Sequence, residues 1–323
     1  MGLASEQADQ VLVTGGGGFI GRFVVKKLLE MGSQVVTTFR SRPSDKLPSK
    51  VRQVPFEYDN LVREFRHAGT VIHLAARTGG IEYQRAMPIE LFFSNRGLTD
   101  RVLVALAESQ TPRLILASSA AVYAPSSRPL AEDSKTIDAS QAESAYAVAK
   151  LLDELNAGFV RGAHGTTIVV ARIGNVYGEG GHFDSERSSV IHGLIARSIH
   201  IQRTGRLIAW GSADTVRSFV HVQDVAEGIA LLTAAKSPGH VYNVDSGVAV
   251  NIGHVAALIA EAAAPGSQVE FDGTRPRGDP FRVLSIQRLE GLGFKPHVHL
   301  EEGIHRTLDY FLAHGERQHV APG

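Results

Sequence analysis

The chain of 323 residues predicts an α/β protein built on a doubly wound parallel sheet, and three observations carry that expectation. An apolar run, Val11-Leu12-Val13, leads into Thr14-Gly15-Gly16-Gly17-Gly18-Phe19-Ile20-Gly21, and apolar residues at helical spacing follow. Strand-like and helix-like stretches alternate through the first half, the pattern of crossovers between parallel strands. Tyr146 and Lys150 stand four residues apart, downstream of the small-residue run Ala117-Ser118-Ser119-Ala120-Ala121.

Taken in order, strands are expected at 11–14, 35–39, 51–56, 70–74, 113–117 and 167–171, and helices at 21–31, 89–109 and 143–161. The first strand, glycine turn and helix form a phosphate cradle. Gly15, Gly18 and Gly21 permit a tight turn and a close approach of backbone N–H groups to a pyrophosphate, while Phe19 and Ile20 open a helix whose dipole favours an anion. The second strand ends in Phe39 and Arg40, with Arg42 close behind. An NAD site would place a carboxylate there to accept from the ribose 2′-OH, whereas guanidinium groups suit a 2′-phosphate, so NADP(H) is favoured over NAD(H).

Residues 1–172 are therefore read as a dinucleotide-binding domain of Rossmann type. Residues 173–323, richer in Gly, Ser and His and less regular, are read as a smaller C-terminal substrate-binding region, with segments near 220–245 returning to the first domain. The tail from 314 to 323 is expected to fray.

On a helix, Tyr146 and Lys150 share a face, so the ammonium can favour the ionised phenol. A free Tyr, with a pKa near 10, needs such help to exchange protons at neutral pH. Ser119 falls just past a strand end, at the carboxyl edge where open α/β sheets hold their ligands.

With these residues in place, the chain resembles the extended short-chain dehydrogenase/reductases that act on nucleotide-activated sugars, the NAD-dependent epimerase/dehydratase family. The likeness continues through Val71-Ile72-His73-Leu74-Ala75-Ala76, Asn95, Arg172, Asn175-Val176-Tyr177-Gly178, Arg217-Ser218-Phe219-Val220-His221, Tyr242-Asn243-Val244, Arg277-Gly278-Asp279 and Leu292-Gly293-Phe294-Lys295-Pro296. It implies that Asp59 meets the adenine, that Leu74, Ala75, Ala76 and Asn95 line the dinucleotide, and that Lys150 bonds the nicotinamide ribose. Ser119 and Tyr146 would hold the sugar oxygen, and Asn175, Arg217 and Arg277 the diphosphate end, a task suited to forked, permanently charged donors. His73 and His221 are read as structural. A homodimer is the assembly the resemblance implies.

Departures narrow the chemistry. Where sugar-nucleotide 4,6-dehydratases carry an Asp-Glu pair, this chain has Ala120-Ala121. Ala209-Trp210-Gly211-Ser212 and the stretch around Arg288-Leu289 resemble the GDP-fucose synthases, which epimerise ring carbons with a Cys and a His; Ala121 and Ser189 stand in those places. Ser218 and Ser285 replace an Asp usual in the family. What remains is hydride transfer: reduction of a keto group, at C4, on a nucleotide diphosphate 6-deoxysugar. Two alternatives stay open, a 4-epimerase with tightly bound NAD and a non-catalytic NADP-binding regulator.

Composition sets the outer limits. Lys plus Arg and Asp plus Glu both number 33, so nothing invites nucleic acid or an acidic membrane. There is no cysteine, hence no disulfide or thiolate metal site, which fits a reducing, cytoplasmic setting. The first ten residues are too polar for a secretory signal, and no apolar run reaches the roughly 18 residues of a membrane span. His297-Val298-His299 lacks further ligands at metal spacing, so no metal site is expected.

Overall fold

A computed structural model of the protein describes residues 10–184, 188–235, 240–274 and 278–314. Its first half runs β1 (Gln10–Thr14), α1 (Phe19–Glu30), β2 (Gln34–Phe39), β3 (Arg52–Pro55), α2 (Tyr58–Phe65), β4 (Thr70–His73), α3 (Ile81–Ala86), α4 (Pro88–Ser109), β5 (Arg113–Ser119), α5 (Ala145–His164) and β6 (Thr167–Ile173). The second half runs β7 (Asn175–Tyr177), α6 (Val190–Ser198), α7 (Ile201–Thr204), β8 (Arg206–Trp210), β9 (Val216–Arg217), β10 (Phe219–His221), α8 (Val222–Ala234) and β11 (Val241–Val244). It ends with β12 (Val250–Asn251), α9 (Ile252–Ala263), β13 (Gln268–Asp272), β14 (Phe281–Arg282), α10 (Gln287–Glu290) and α11 (Leu300–His314).

Seven strands form one parallel sheet in the order β11-β6-β5-β4-β1-β2-β3. The order reverses between β1 and β4, which opens a crevice at their carboxyl ends, the place where doubly wound sheets bind ligands. One apolar layer packs α1 and α8 on the sheet through Val24, Leu28, Val225 and Ile229; the other packs α2, α4 and α5 through Leu61, Phe65, Leu106 and Ala157. Truncating a buried Leu such as Leu28 or Leu106 to Ala costs about 2–5 kcal/mol, so either layer can decide whether the sheet forms.

All six expected strands and three expected helices are present, with shifted ends. The first helix begins at Phe19 rather than residue 21, because Gly18 takes the extended N-cap conformation. The helix expected from 143 begins at Ala145, because the Ser144 hydroxyl accepts from Ala147 N. Two short helices, α2 and α3, were not expected: α2 buries only Leu61, Val62, Glu64 and Phe65 in a mostly polar stretch.

The segment 220–244 meets the first half through Val220, α8 and β11, whose apolar residues join the sheet's core. β10 pairs with β7 in a two-stranded parallel ribbon outside the main sheet, while β11 joins the sheet edge beside β6. The rest of the second half has its own core, in which Tyr177, Phe183, Ile191, Leu194 and Ile259 are buried with Phe311 of α11. Two polar clusters brace the second half, and the second of them also reaches α1 of the first. Asp224 accepts from the backbone N–H groups of His297 and Val298, with His297 Nδ1 2.8 Å away. Glu179 pairs with His221 at 3.0 Å and with Arg306 at 2.8 Å, and its carbonyl accepts from Arg22 of α1. These contacts bear out a structural reading of His221. The tail from 315 and the expected diphosphate ligand Arg277 lie outside the described residues.

Candidate active site

The glycine turn is fixed by steric exclusion. Gly15 has φ +74°, and a Cβ there would lie 2.8 Å from Ala75 N; a Cβ at Gly21 would lie 2.1 Å from Gly15 O. Gly18 N donates to Gly15 O at 3.0 Å, and Gly16 N donates to Thr37 Oγ1 at 3.1 Å. The turn thus presses against Leu74 and Ala75 at the end of β4. Helix α1 has no side-chain cap and no acidic residue in its first turn, so its N-terminal N–H groups suit an anion. A cradle in which a Cβ would collide, facing an uncapped helix, fits a dinucleotide pyrophosphate.

Arg40 and Arg42 follow β2 and are exposed. Their loop folds over the turn: a Cβ at Gly17 would come within 2.7 Å of Ser44. The guanidinium groups therefore stand on the segment beside the cradle. Asp59 is exposed in the first turn of α2, just beyond β3. Asn95 departs from the expected role. It is buried, its Oδ1 accepts from Arg77 N at 2.8 Å, and its Nδ2 donates to Arg77 O at 3.0 Å and Leu91 O at 2.8 Å. With both amide protons spent on the backbone, Asn95 anchors the loop that follows Leu74–Ala76 instead of offering its N–H to a ligand.

Ser119 closes β5, two residues beyond the first expectation, and its Oγ accepts from Ala121 N at 3.2 Å. Tyr146 lies in the first turn of α5 and is buried. One turn along, Lys150 is buried, and its Nζ donates to Ala117 O at 3.1 Å. That contact ties the helix face carrying Tyr146 and Lys150 to the strand carrying Ser119. Behind them, Asp153 Oδ2 lies 3.5 Å from Lys150 Nζ, and Arg172 forms a two-pronged pair with Glu154 at 3.0 and 2.7 Å. His73 is buried between Thr14 at 2.7 Å and Thr99 at 3.2 Å; burial, then the charge of Lys150, pushes it down to about 3. A neutral, fully engaged ring is structural, as expected.

A cavity of about 290 Å³ opens beside this edge, lined by Gln84, Asn175, Ser189, Trp210 and Arg217 among others. Gln84 accepts from the Ser144 hydroxyl at 3.0 Å, so the cavity wall reaches the cap of α5. Asn175 is steered by donating to Ser218 O at 2.8 Å. Arg217 sits opposite Arg282 in the β9–β14 register. Burial and then the nearby Arg282 charge lower Arg217 to about 10, with Asp279 pulling the other way.

Arg282 was not anticipated. It donates to Asp279 Oδ2 at 3.1 Å and to the carbonyl of Ala120, next to Ser119. Its signal was hidden because the β9–β14 pairing joins segments some 65 residues apart (217 against 282). His192 was missed as well, although Ser189-x-x-His192 has helical spacing. Ser189 Oγ lies 2.8 Å from His192 Nδ1, and His192 Nε2 donates to Gly178 O, 2.9 Å away. Burial lowers that ring to about 4, so it is neutral, with Nδ1 accepting from the serine. Ser218, where the family usually has Asp, donates to buried Asp245 at 2.7 Å. An Asp at 218 would set two carboxylates face to face.

The comparisons with known proteins agree with this layout. Residues 11–245 match the NAD dependent epimerase/dehydratase family. A putative GDP-L-fucose synthase 2 from Oryza sativa subsp. japonica is 30% identical over 324 residues, covering 98% of this chain and 91% of the relative. A dTDP-4-dehydro-6-deoxy-D-allose reductase from Streptomyces sp is 29% identical, covering 94% and 96%. The solved UDP-glucose 4-epimerase of Thermus thermophilus, in complex with NAD, superposes with TM-score 0.78 at 27% identity, covering 94% of this chain and 99% of that one. The matched stretch spans the glycine cradle and the Tyr146 and Lys150 face, and the chain belongs to the NAD dependent epimerase/dehydratase family and is an enzyme of the extended short-chain dehydrogenase/reductase type.

Proposed function

We propose that the protein is an NADP(H)-dependent reductase of a keto group, at C4, on a nucleotide diphosphate 6-deoxysugar. One observation carries the reading: Arg217 lines the cavity, and Arg282, opposite it in the β9–β14 register, holds the Ala120 carbonyl, adjoining Ser119. A ligand whose diphosphate rests on this arginine pair reaches the Ser119 and Tyr146 edge with its other end. The names of the rice and Streptomyces relatives, a GDP-sugar synthase and a dTDP-dehydrosugar reductase, support the substrate class.

The bound dinucleotide would supply the hydride. Tyr146 gives a proton to the oxygen on which negative charge develops, Lys150 stabilises the resulting phenolate, and Ser119 Oγ–H donates to the same oxygen. Because Ala120 and Ala121 carry no acid or base, elimination of water has no catalyst at that place. Arg40 and Arg42, which make no ion pair among the described residues, favour the 2′-phosphate of NADP(H).

Assembly as a homodimer is part of the same reading. Ile89 and Phe93 on α4, and Leu155 and Phe159 on α5, are exposed at four-residue spacing on two packed helices, a face suited to a second copy. Among the described residues no helix is long and apolar enough to cross a membrane, and the cysteine-free composition suits the cytoplasm.

The test is direct. Purified protein incubated with NADPH and a nucleotide 4-keto-6-deoxysugar is expected to consume one NADPH per sugar reduced. Interconversion of nucleotide-sugar epimers without net cofactor consumption would replace this reading by the epimerase.

A further inference from the structure

The polar groups behind Lys150 form a single directed chain. Thr99 Oγ1 donates its only proton to Asp153 Oδ2 at 2.9 Å, so the same oxygen must accept from His73 Nε2–H, 3.2 Å away. Neutral His73 then presents its Nδ1 lone pair to the Thr14 hydroxyl at 2.7 Å. Thr14 Oγ1 in turn accepts from Ala75 N at 3.4 Å, on the backbone that abuts Gly15. Every donor points the same way, from the dinucleotide cradle towards Asp153, whose Oδ2 lies 3.5 Å from Lys150 Nζ.

Asp153 is fully buried and also meets Arg96, whose Nη1 lies 2.5 Å from Oδ1. Arg96 continues to Asp100, which is half exposed on the outer face of α4. The next cation along this edge is Arg282, which holds the Ala120 carbonyl and is paired with Asp279. The stretch 114–122 of β5 and the turn after it carries no ionisable side chain, and Arg172 of β6 is matched by Glu154. Burial pushes the Asp153 carboxyl up, against the downward pull of Lys150, Thr99 and Arg96. Two cations thus share one buried carboxylate, and the share each receives sets the charge that Lys150 shows to Tyr146.

We propose that Asp153, braced by Arg96 and Thr99, is a positioning residue that fixes the Lys150 ammonium and moderates the positive field it exerts on Tyr146. The proposal rests on the reading of Tyr146 as the proton donor, but its electrostatic content can be measured without any substrate. Removing the negative charge leaves Lys150 uncompensated and favours the phenolate; removing Arg96 gives Lys150 a larger share of the carboxylate and disfavours it. Opposite shifts from two neighbouring substitutions are not what loss of packing produces.

The experiment is a pH titration of tyrosinate absorbance in the near ultraviolet. Each protein is measured against its own Tyr146→Phe counterpart, so that only Tyr146 is read. Asp153→Asn is expected to lower the Tyr146 midpoint by about half a pH unit or more, and Arg96→Gln to raise it by a similar amount. The alkaline limb of the kcat profile for keto reduction should move with the same signs, while KM for the sugar nucleotide stays within about twofold. If Asp153→Asn does not fold, Arg96→Gln, altered near the surface, decides the matter alone. Unmoved midpoints, or shifts of the same sign in both variants, overturn the proposal. A wild-type enzyme that fails to reduce any keto-sugar nucleotide, yet shows the opposite shifts, would overturn the proposed reaction and leave the role of Asp153 standing.

Discussion

Gly15, in the turn after β1, and Arg217, on the cavity wall, keep their places by different means. At the glycine turn the backbone itself makes the surface: a φ of +74° and a Cβ clearance of 2.8 Å from Ala75 N leave room for no side chain. At the arginine pair the backbone is ordinary strand and long side chains make the surface, Arg282 reaching Asp279 and the Ala120 carbonyl and Arg217 the Val216 carbonyl. The difference predicts all-or-none behaviour on the dinucleotide side and graded behaviour on the other. A substitution at the turn must move main chain, whereas one at an arginine removes a single charged contact.

Gly15→Ala gives the sharpest contrast. An L-residue in the left-handed region costs about 1–2 kcal/mol, and crowding against Ala75 adds about 1–3 kcal/mol, so NADPH affinity should fall on the order of a hundredfold, read by fluorescence titration. Tyr146→Phe, between the two regions, should cut kcat by about a hundredfold and leave NADPH affinity unchanged. Tolerance of Gly15→Ala would break the comparison, and normal turnover by Tyr146→Phe would remove the proton donor.

Smaller effects are expected from single charges. Arg217→Ala and Arg282→Ala should each lower kcat/KM for the sugar nucleotide about tenfold or more without altering NADPH binding, since a charge-assisted contact contributes about 1.5–3 kcal/mol. A remote handle also orients the sugar, so a substrate lacking the nucleotide should lose rate as well as affinity. Arg40→Ala should erase a preference for NADPH over NADH of about tenfold, measured by paired binding titrations. Equal affinity of the unmodified protein for both dinucleotides would contradict the assignment of that loop.

The smallest effect lies under the arginine pair. Burial pushes Asp245 up to about 6 from the usual 3.8, so its ionisation opposes folding. Its favourable share is complete below the unfolded value and is lost as pH rises through about 6. Between about pH 5 and pH 7.5, Asp245→Asn should gain about 1 kcal/mol relative to the wild type in urea unfolding. A difference that does not vary with pH would mean that Asp245 is not protonated by burial.

What could be read in the sequence was local. The cradle is written in the run 15–21 because steric exclusion leaves only glycine at 15 and 21, and Tyr146 and Lys150 announce their shared face by helical spacing. Arg282 was illegible because only the β9–β14 register brings it to Arg217. Asn95 was legible as a site residue, but the two backbone carbonyls that take its amide protons belong to Leu91 and Arg77, and sequence order does not show that. Asp153 follows Lys150 by three residues, in plain view, yet its meaning depends on Arg96 and Thr99 arriving from α4. The extents of α2 and α3 escaped for a simpler reason: short, mostly polar helices draw their stability from packing rather than pattern.

Hydride transfer to the sugar is the central claim, and isotope transfer tests it most directly. The enzyme would be supplied with a nucleotide 4-keto-6-deoxysugar and NADPH deuterated at the transferable nicotinamide position, and the product examined by NMR. The account predicts one deuterium on C4 of the reduced sugar, and its disappearance from the product pool in Tyr146→Phe. A product carrying no deuterium at C4, or label found at another carbon, would contradict it.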